Sequence, residues 1–380
     1  MGAARFRAWF GERGATEEDL GRIEDIEVTQ EMDAIWEARI RISTCLDERG
    51  TWHHRPDELA KPFSRVRIEV DAGSGKFVPL IDGPVAAFEN ALDSQPSRST
   101  ATLVVRDDSV FLNRDEDVEV FEDRRDSEIA DEVFRRATQI RDTRIESTTG
   151  TNPATVRRGT PMQFLRELAR ANDRHAFVLP GDKRGESVGC FLTDPDAAGD
   201  LPKLVLLGDG RTLTNITIQE ESEGPERTRG RMLRLDDLSE ASFETSAIDI
   251  GLMRDLPAVS DDLTPLRLLP PADAIREDPE PAVTSQAHSA AYAFNLSSQI
   301  VPGCYDGVLT PYQKVKVEAG QTPYSGEYLI TKVIHRINLS VYTQEFEAKS
   351  DSRTDVQSAA IAEAAGGGLS VSFSASVSIF

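Results

Sequence analysis

Five histidines, three cysteines and 65 carboxylates are the raw material for chemistry in this 380-residue chain. Their spacing is uninformative for catalysis. His53 and His54 precede Arg55-Pro56 in a polar stretch. Neighbouring side chains point in different directions on any regular element, so the pair makes a poor chelate. His335 falls inside a β pattern between Ile334 and Arg336, the setting of a barrel or interface histidine. Cys45, Cys190 and Cys304 lie far apart with no C-x-x-C pair, so neither a zinc site nor a disulfide framework is indicated. Gly366–Gly368 lacks the Lys-Ser/Thr of a phosphate cradle, and neither G-x-S-x-G nor H-E-x-x-H occurs. Acidic pairs such as Asp107-Asp108 and Asp261-Asp262 read as solvated surface. A glycosidase needs two carboxylates in one cleft with one pKa raised, and nothing singles out such a pair. No catalytic, cofactor-binding or metal-binding residue is assigned.

The last twelve residues carry a different kind of signal. Leu369, Val371, Phe373, Ala375, Val377 and Ile379 alternate with five serines, which predicts a strand with one apolar face. Such a strand is not stable alone and must join a sheet. It either completes this chain's own sheet or augments a neighbouring subunit or partner. The Gly366–Gly368 hinge favours the partner, which makes Leu369, Val371, Phe373, Val377 and Ile379 candidate partner-binding residues.

The rest of the chain is a scaffold of short strands around two helices. Period-two alternation marks strands at Arg22–Val28 and Asp33–Thr44, with Trp36, Ala38, Ile40 and Ile42 on one face. Ser64–Val70 turns Val66, Ile68 and Val70 inward and Arg65, Arg67 and Glu69 outward. A turn at Asp71–Gly75 leads to a strand over Phe77–Ile81, Gly83-Pro84 breaks it, and Val85–Phe88 and Ala101–Arg106 follow. An apolar stripe of helical spacing covers Asp126–Thr138, with Asp126 or Ser127 as N-cap. A second helix covers Thr160–Asn172, with Thr160 as N-cap and Pro161 at the first position. A hairpin over His175–Leu179 and Gly189–Leu192 closes this middle section.

A second β region begins at Lys203–Leu207, Thr212–Glu220 and Glu226–Leu235. Leu256–Pro281 is a Pro-rich connection, and Ser285–Ser298 is predicted helical. Four β runs come next, at Ile300–Val308, Lys314–Glu318, Glu327–Asn338 and Tyr342–Ala348. Val356–Ala365 has the spacing of a short helix. The organisation is therefore a first β unit over 1–120, a small α/β insert over 121–200, a second β unit over 201–350 and a tail over 351–380.

Composition narrows the function classes. Lysine and arginine number 43 against 65 acidic residues, a net charge of −22. Such a surface repels a nucleic-acid backbone and an anionic bilayer, so sequence-specific nucleic-acid binding and membrane association are not expected. No apolar run approaches the roughly 18 residues of a membrane helix, and no apolar signal segment follows Met1. The excess of arginine over lysine fits a GC-rich or halophilic source.

Three passages in order resemble one family. The first is Val104-Val-Arg-Asp-Asp-Ser-Val-Phe-Leu-Asn-Arg114 with Asp126-Ser-Glu-Ile-Ala130. The second is Arg158-Gly-Thr-Pro-Met-Gln-Phe-Leu-Arg-Glu-Leu-Ala169. The third runs from Leu309-Thr-Pro311 through Gly326-Glu-Tyr-Leu-Ile-Thr-Lys-Val-Ile-His335 to Tyr342-Thr-Gln-Glu-Phe346. Together they resemble the tail and baseplate hub proteins of contractile phages (the late control protein D family), and the hub module of type VI secretion spike proteins. The resemblance implies a mainly β fold with a small α/β insert, in which two tail-tube-like β-barrels per chain form a pseudo-sixfold ring as a homotrimer. It implies a non-enzymatic structural hub that adapts the sixfold tail tube to the threefold spike, in a virion tail or injection particle assembled in the host cytoplasm. The implied partners are a separate spike protein, a tail tube or tube-initiator protein, baseplate wedge proteins, and a tape measure or cargo in the lumen. The competing expectations are a tail-associated cell-wall hydrolase and a glycan-binding β-rich module.

Overall fold

A computed structural model describes residues 5–95, 98–221, 227–233, 239–250, 252, 265–269, 280–338 and 340–352. The first β region contains β1 (Arg5–Phe10), β2 (Ile23–Glu31), β3 (Glu37–Ser43), β4 (Arg65–Asp71), β5 (Val78–Ala91) and β6 (Thr100–Arg106). The insert contains β7 (Asp117–Arg124), α1 (Asp126–Arg135), β8 (Ile140–Ile145), β9 (Asn152–Gly159), α2 (Pro161–Arg170), β10 (His175–Pro180) and β11 (Ser187–Leu192). The second β region contains β12 (Leu213–Glu220), α3 (Glu280–Ala291), β13 (Phe294–Ile300), β14 (Lys314–Glu318), β15 (Gly326–Ile337) and β16 (Tyr342–Ser350).

Alternation sets the pairing. Ile26 and Val28 of β2 face Ile40 and Ala38 of β3, and all four are fully buried. A one-residue slip would turn this apolar set to the opposite face, so the register is strongly specified. The two β regions do not pair as two separate barrels. They share one 13-stranded sheet whose main path runs β12, β13, β16, β15, β2, β3, β6, β5, β4, β1, with the short strand Arg13–Gly14 beyond β1, and whose side branch carries β14 on β15 and the short strand Leu204–Val205 on β14. The crossing between the halves is the antiparallel pairing of β15 with β2, from Lys332 opposite Glu31 to Ile337 opposite Ile26. Among the described residues no pairing closes either half into a barrel. One edge of each half, β2 and β15, is instead sealed by the other half.

Among the described residues the three largest hydrophobic cores lie along this frame. The first gathers Val66, Ile68, Leu80 and Leu103 and also takes Ile337 and Tyr342 from the second β region. The second is built on Phe294, Leu309, Tyr328, Val333 and Phe346. The third, in the insert, packs Ile129, Val133 and Phe134 of α1 against Phe164, Leu165 and Leu168 of α2 and Phe191 of β11. Helix α2 starts as its sequence predicts. Thr160 Oγ1 accepts from the Gln163 amide, Gln163 Oε1 accepts from the Thr160 amide, and Pro161 occupies the first helical position.

Several expectations are corrected. Asp126 is the first residue of α1 rather than its cap. Its two oxygens accept from Asn152 Nδ2 at 2.9 Å and Asn172 Nδ2 at 2.7 Å, tying the helix start to the start of β9 and the segment after α2. The predicted helix over Ser285–Ser298 lies earlier, over Glu280–Ala291. From Phe294 the two-residue alternation of Phe294, Leu296, Ser298 and Ile300 takes over because β12 and β16 flank that segment. No strand forms over Val301–Val308, where Pro302 and a left-handed Gly303 (φ +73°) turn the chain. Strand β5 continues through Gly83-Pro84 instead of breaking.

At Gly83 strand β5 changes partners. It pairs with β4 up to Gly83-Pro84 and with β6 from Val85 onward. A Cβ on Gly83 would stand 1.8 Å from the Arg106 carbonyl oxygen. That neighbour is backbone and cannot rotate away. Gly83→Ala should therefore cost at least about 2 kcal/mol, at the upper end of overpacking penalties. Gly21→Ala, where the added methyl meets nothing within 4 Å, should stay within about 1 kcal/mol of the parent. Urea unfolding of both variants checks the contrast.

Candidate functional site

The concentrated polar chemistry of this chain lies where the cores meet. The first cluster sits under β4. Arg67 is only 2% exposed, against the expectation that Arg65, Arg67 and Glu69 form a solvent face. The turn after β10 covers it. Arg67 Nη1 donates to Asp82 at 2.9 Å and to the Gly181 carbonyl at 2.8 Å, and Nε donates to Glu69 at 2.7 Å. Arg65 bridges Asp82 and Asp108 at 2.8 Å each. Ser187 of β11 donates to Asp108 at 2.7 Å, and the Gly185 amide donates to Asp82 at 3.0 Å. Two guanidinium groups and three carboxylates thus weld the insert to the first β region. Buried charges are tolerable only when paired and hydrogen-bonded in this way.

Asp107 and Asp108 are accordingly not solvated surface. Both are buried. Asp107 accepts from the Trp36 amide at 2.5 Å and the Ser109 amide at 2.8 Å. Burial pushes its pKa up to about 6, with these bonds opposing. The acceptors are filled by donors of the chain itself: Asp107 fastens the end of β6 to the loop before β3, and Asp108 fastens it to Arg65 and Ser187.

The second cluster joins all three cores. His175, at the start of β10, places Nδ1 3.3 Å from Asp33 in the loop after β2 and Nε2 3.1 Å from Asp194 beyond β11. Tyr292, the residue after α3, donates to Asp194 at 2.7 Å. His288, one turn earlier on α3, places Nδ1 2.9 Å from Asp173. Lys349 of β16 lies over the Tyr292 ring at 3.9 Å from its centroid. Tyr312 accepts from the Asp33 amide at 2.7 Å and stacks on Phe177 of β10 at 3.6 Å between centroids.

Electrostatics follow from this geometry. Burial alone would lower the His175 pKa, but Asp194 and Asp33 outweigh it and raise it to about 9. Asp194, although burial opposes it, is held well below the ordinary carboxylate range by His175, Tyr292 and Lys349. His288 is raised chiefly by its bond to Asp173. At neutral pH the junction therefore holds an imidazolium between two carboxylates.

The third cluster lies on the seam. His335 is fully buried between β15 and β2, and desolvation pushes its pKa down to about 3. Gln30 Nε2 donates to the Leu80 carbonyl at 2.7 Å, which leaves Gln30 Oε1 as an acceptor 3.2 Å from His335 Nε2. The neutral ring therefore carries its proton on Nε2, and Nδ1 accepts from the Tyr342 hydroxyl at 2.8 Å. This matches the structural role expected of His335.

Other sequence candidates are not assembled. His53 lies 3.2 Å from Asp47 in an exposed turn, and His54 adopts a left-handed φ of +56°. Cys45, Cys190 and Cys304 are free thiols, and burial pushes Cys190 up to about 12. Among the described residues no group of three or more potential ligands is placed to hold a metal ion, and no helix is long and apolar enough to cross a membrane. Asp261-Asp262, Gly366–Gly368 and the five candidate tail residues Leu369, Val371, Phe373, Val377 and Ile379 lie outside the described residues. The residues that sequence reasoning missed are Asp33, Asp173, His175, Asp194, His288 and Tyr292. They are scattered over some 260 positions, and no motif spacing links them.

The His175 junction has a pH signature. A folded pKa of about 9 against an ordinary 6.5 means that its stabilisation is complete below pH 6.5 and is lost as pH rises through 9. The shift corresponds to roughly 3 kcal/mol as an upper bound. Stability by urea unfolding should fall between pH 6.5 and 9.5, and His175→Gln should flatten that slope while lowering stability at pH 6.5. An unchanged slope in the variant would remove His175 as its source.

No family model and no curated protein matches the sequence. Solved structures do match. A tail protein from Neisseria meningitidis superimposes with a TM-score of 0.65 at 12% identity, covering 92% of this chain and 97% of that one. A 43 kDa prophage tail protein from Shewanella oneidensis gives 0.61 at 13% identity, covering 90% and 97%. An Escherichia coli component of the type VI secretion system, itself described as structurally similar to phage T4 tail proteins, gives 0.54 at 11% identity, covering 88% and 74%. At such identities the likeness is one of fold, and it spans nearly the whole chain. The mostly β architecture of this chain is that of these tail proteins and of the type VI secretion component.

Proposed function

We propose that the chain is the structural central hub of a phage-like tail or contractile injection system. Three copies form a ring whose six β units continue a sixfold tail tube on one face and seat a separate spike protein on the other. The observation that carries this reading is the single sheet running through two β regions, each with its own core, joined at β2 and β15. Two such units per chain and three chains make six, the number a tube requires. The division into units over 1–120, 121–200, 201–350 and a tail over 351–380 belongs to the same proposal, and the insert core between Leu112 and Phe191 supports its second boundary.

The work of such a hub is packing and not bond chemistry. The polar clusters set the angle of the insert to both β regions, as a ring built from rigid repeating contacts needs. The partners in this reading are further copies of the chain, the spike, the tube or its initiator, wedge proteins of the baseplate, and a tape measure or cargo in the lumen. The chain resides in the tail of the particle.

Light scattering on the purified full chain at low and high salt tests the ring. The expected mass is three times that of the chain, with rings visible by negative-stain microscopy. A monomer at every concentration and salt would overturn a self-assembling trimer. Zymography on peptidoglycan should show no clearing, and a cleared band at the chain's position would overturn the non-enzymatic reading.

A further inference from the structure

The main path of the shared sheet has two ends, and they differ, while the side branch through β14 is capped at Val317 and Glu318 by Leu204–Val205 and carries Lys314 and Lys316 on the rest of its edge. At one end β1 has no outer backbone partner over Arg5–Arg7 among the described residues, since Arg13–Gly14 covers Trp9 and Phe10 and the Ala15 amide donates to the Ala8 carbonyl. That edge is short and carries Arg5 and Arg7, a common guard against strand addition. At the other end stands β12, with the sequence LTNITIQE over Leu213–Glu220. It holds no lysine, arginine or proline, and among the described residues it pairs only with β13. Its Ile216 and Ile218 pack on the second core but are only half-buried, while Asn215, Thr217 and Gln219 face solvent. An eight-residue edge of this kind is a template for one more strand.

The sheet register shows which segment is within reach. Ser350, the last residue of β16, lies opposite Phe294 of β13, and Phe294 lies opposite Glu220 of β12. The chain therefore leaves β16 in the same row as the end of β12, two strand spacings away. A place outside β12 is three spacings off, about 14 Å. The 18 residues 351–368 separate Ser350 from Leu369. As a flexible linker they span about 24 Å root-mean-square, so this edge is well within range. A strand that starts in that row and runs antiparallel to β12 begins beside Glu220 and finishes toward Leu213 without crossing the sheet.

Polarity selects the same edge. Leu369, Val371, Phe373, Val377 and Ile379 would continue the core side of Ile216 and Ile218, and the serines between them would continue the solvent side of Asn215 and Thr217. The ribbon of β7 and β9 fits worse. Its exposed Val118, Val120 and Val156 already face solvent, and an added strand would only widen that apolar surface. The β1 edge is seven spacings from β16 and offers less than half the length.

We propose that residues 369–380 add to the β12 edge of their own chain as an antiparallel strand. This assigns the terminal strand to the chain's own sheet rather than to a neighbouring subunit, and it holds whether or not the chain is a hub.

The test uses the full chain with Cys45 and Cys304 replaced by serine. Thr217→Cys is combined in turn with Ser372→Cys, Ser374→Cys and Ser376→Cys, and each protein is oxidised at sub-micromolar concentration. The expected result is a cross-link within one chain in most molecules for at least one pair, and under a tenth for Arg5→Cys with Ser374→Cys. A link between two chains would assign the strand to a neighbour, and no link in any pair would remove the edge as acceptor; either overturns the proposal. Hydrogen exchange gives an independent readout. In the Val371→Asp, Phe373→Asp double variant, the β12 amides should exchange at least tenfold faster while those of β2 and β15 are unchanged. Equal β12 protection in parent and variant would also overturn it.

Discussion

Everything else in this structure depends on the backbone pairing of β2 with β15. Six residue pairs join two halves that are remote in sequence. Each half would otherwise end in an open edge, and unpaired backbone groups at such an edge must find partners. Sharing one ladder satisfies both edges at once and places Ile337 and Tyr342 in the core of the other half. The buried His335, held neutral between Gln30 and Tyr342, fixes side-chain packing at that ladder. A charged imidazole could not be accommodated there without a counter-charge.

The insert is attached by a different physics. Its own core is apolar and Phe177 stacks on Tyr312, but its seating on the two β regions also runs through buried or half-buried ion pairs. Such pairs add little net stability relative to apolar packing, because desolvation offsets the attraction. Their value is geometric. Arg67 reaches Glu69, Asp82 and the Gly181 carbonyl in one planar fork, so the turn above it has one seating. His175 works similarly between Asp33 and Asp194, with α3 brought in through Tyr292. For a protein whose proposed task is to hold two symmetries in register, a fixed angle between units matters more than depth of stabilisation.

Much of the fold was legible in the sequence. Two-residue alternation located the strands around Ile26, Ile40, Ile68 and Val104, and helical spacing with Thr160-Pro161 located α2. Those signals are local, and they report which face of an element is apolar. They misled where a local pattern was overruled by a neighbour. Phe294 fits a helical stripe until β12 and β16 flank it, and Gly83-Pro84 reads as a break until β5 is seen to change partners.

What the sequence alone determined was the mainly β class, the position of the helical insert and the burial of the apolar faces, because these follow from periodicity within a few residues. Only the tertiary structure decided which charges are inside. Arg67, Asp107 and Asp108 look like ordinary surface residues in a chain of net charge −22, since burial of a charged group depends on what packs over it. The covering elements come from about 75 to 115 positions away for Arg67 and Asp108, and Asp33, Asp194 and Tyr292 of the His175 junction come from three separate regions. No spacing rule spans such distances, because the contacts exist only after the sheet has brought both halves and the insert together.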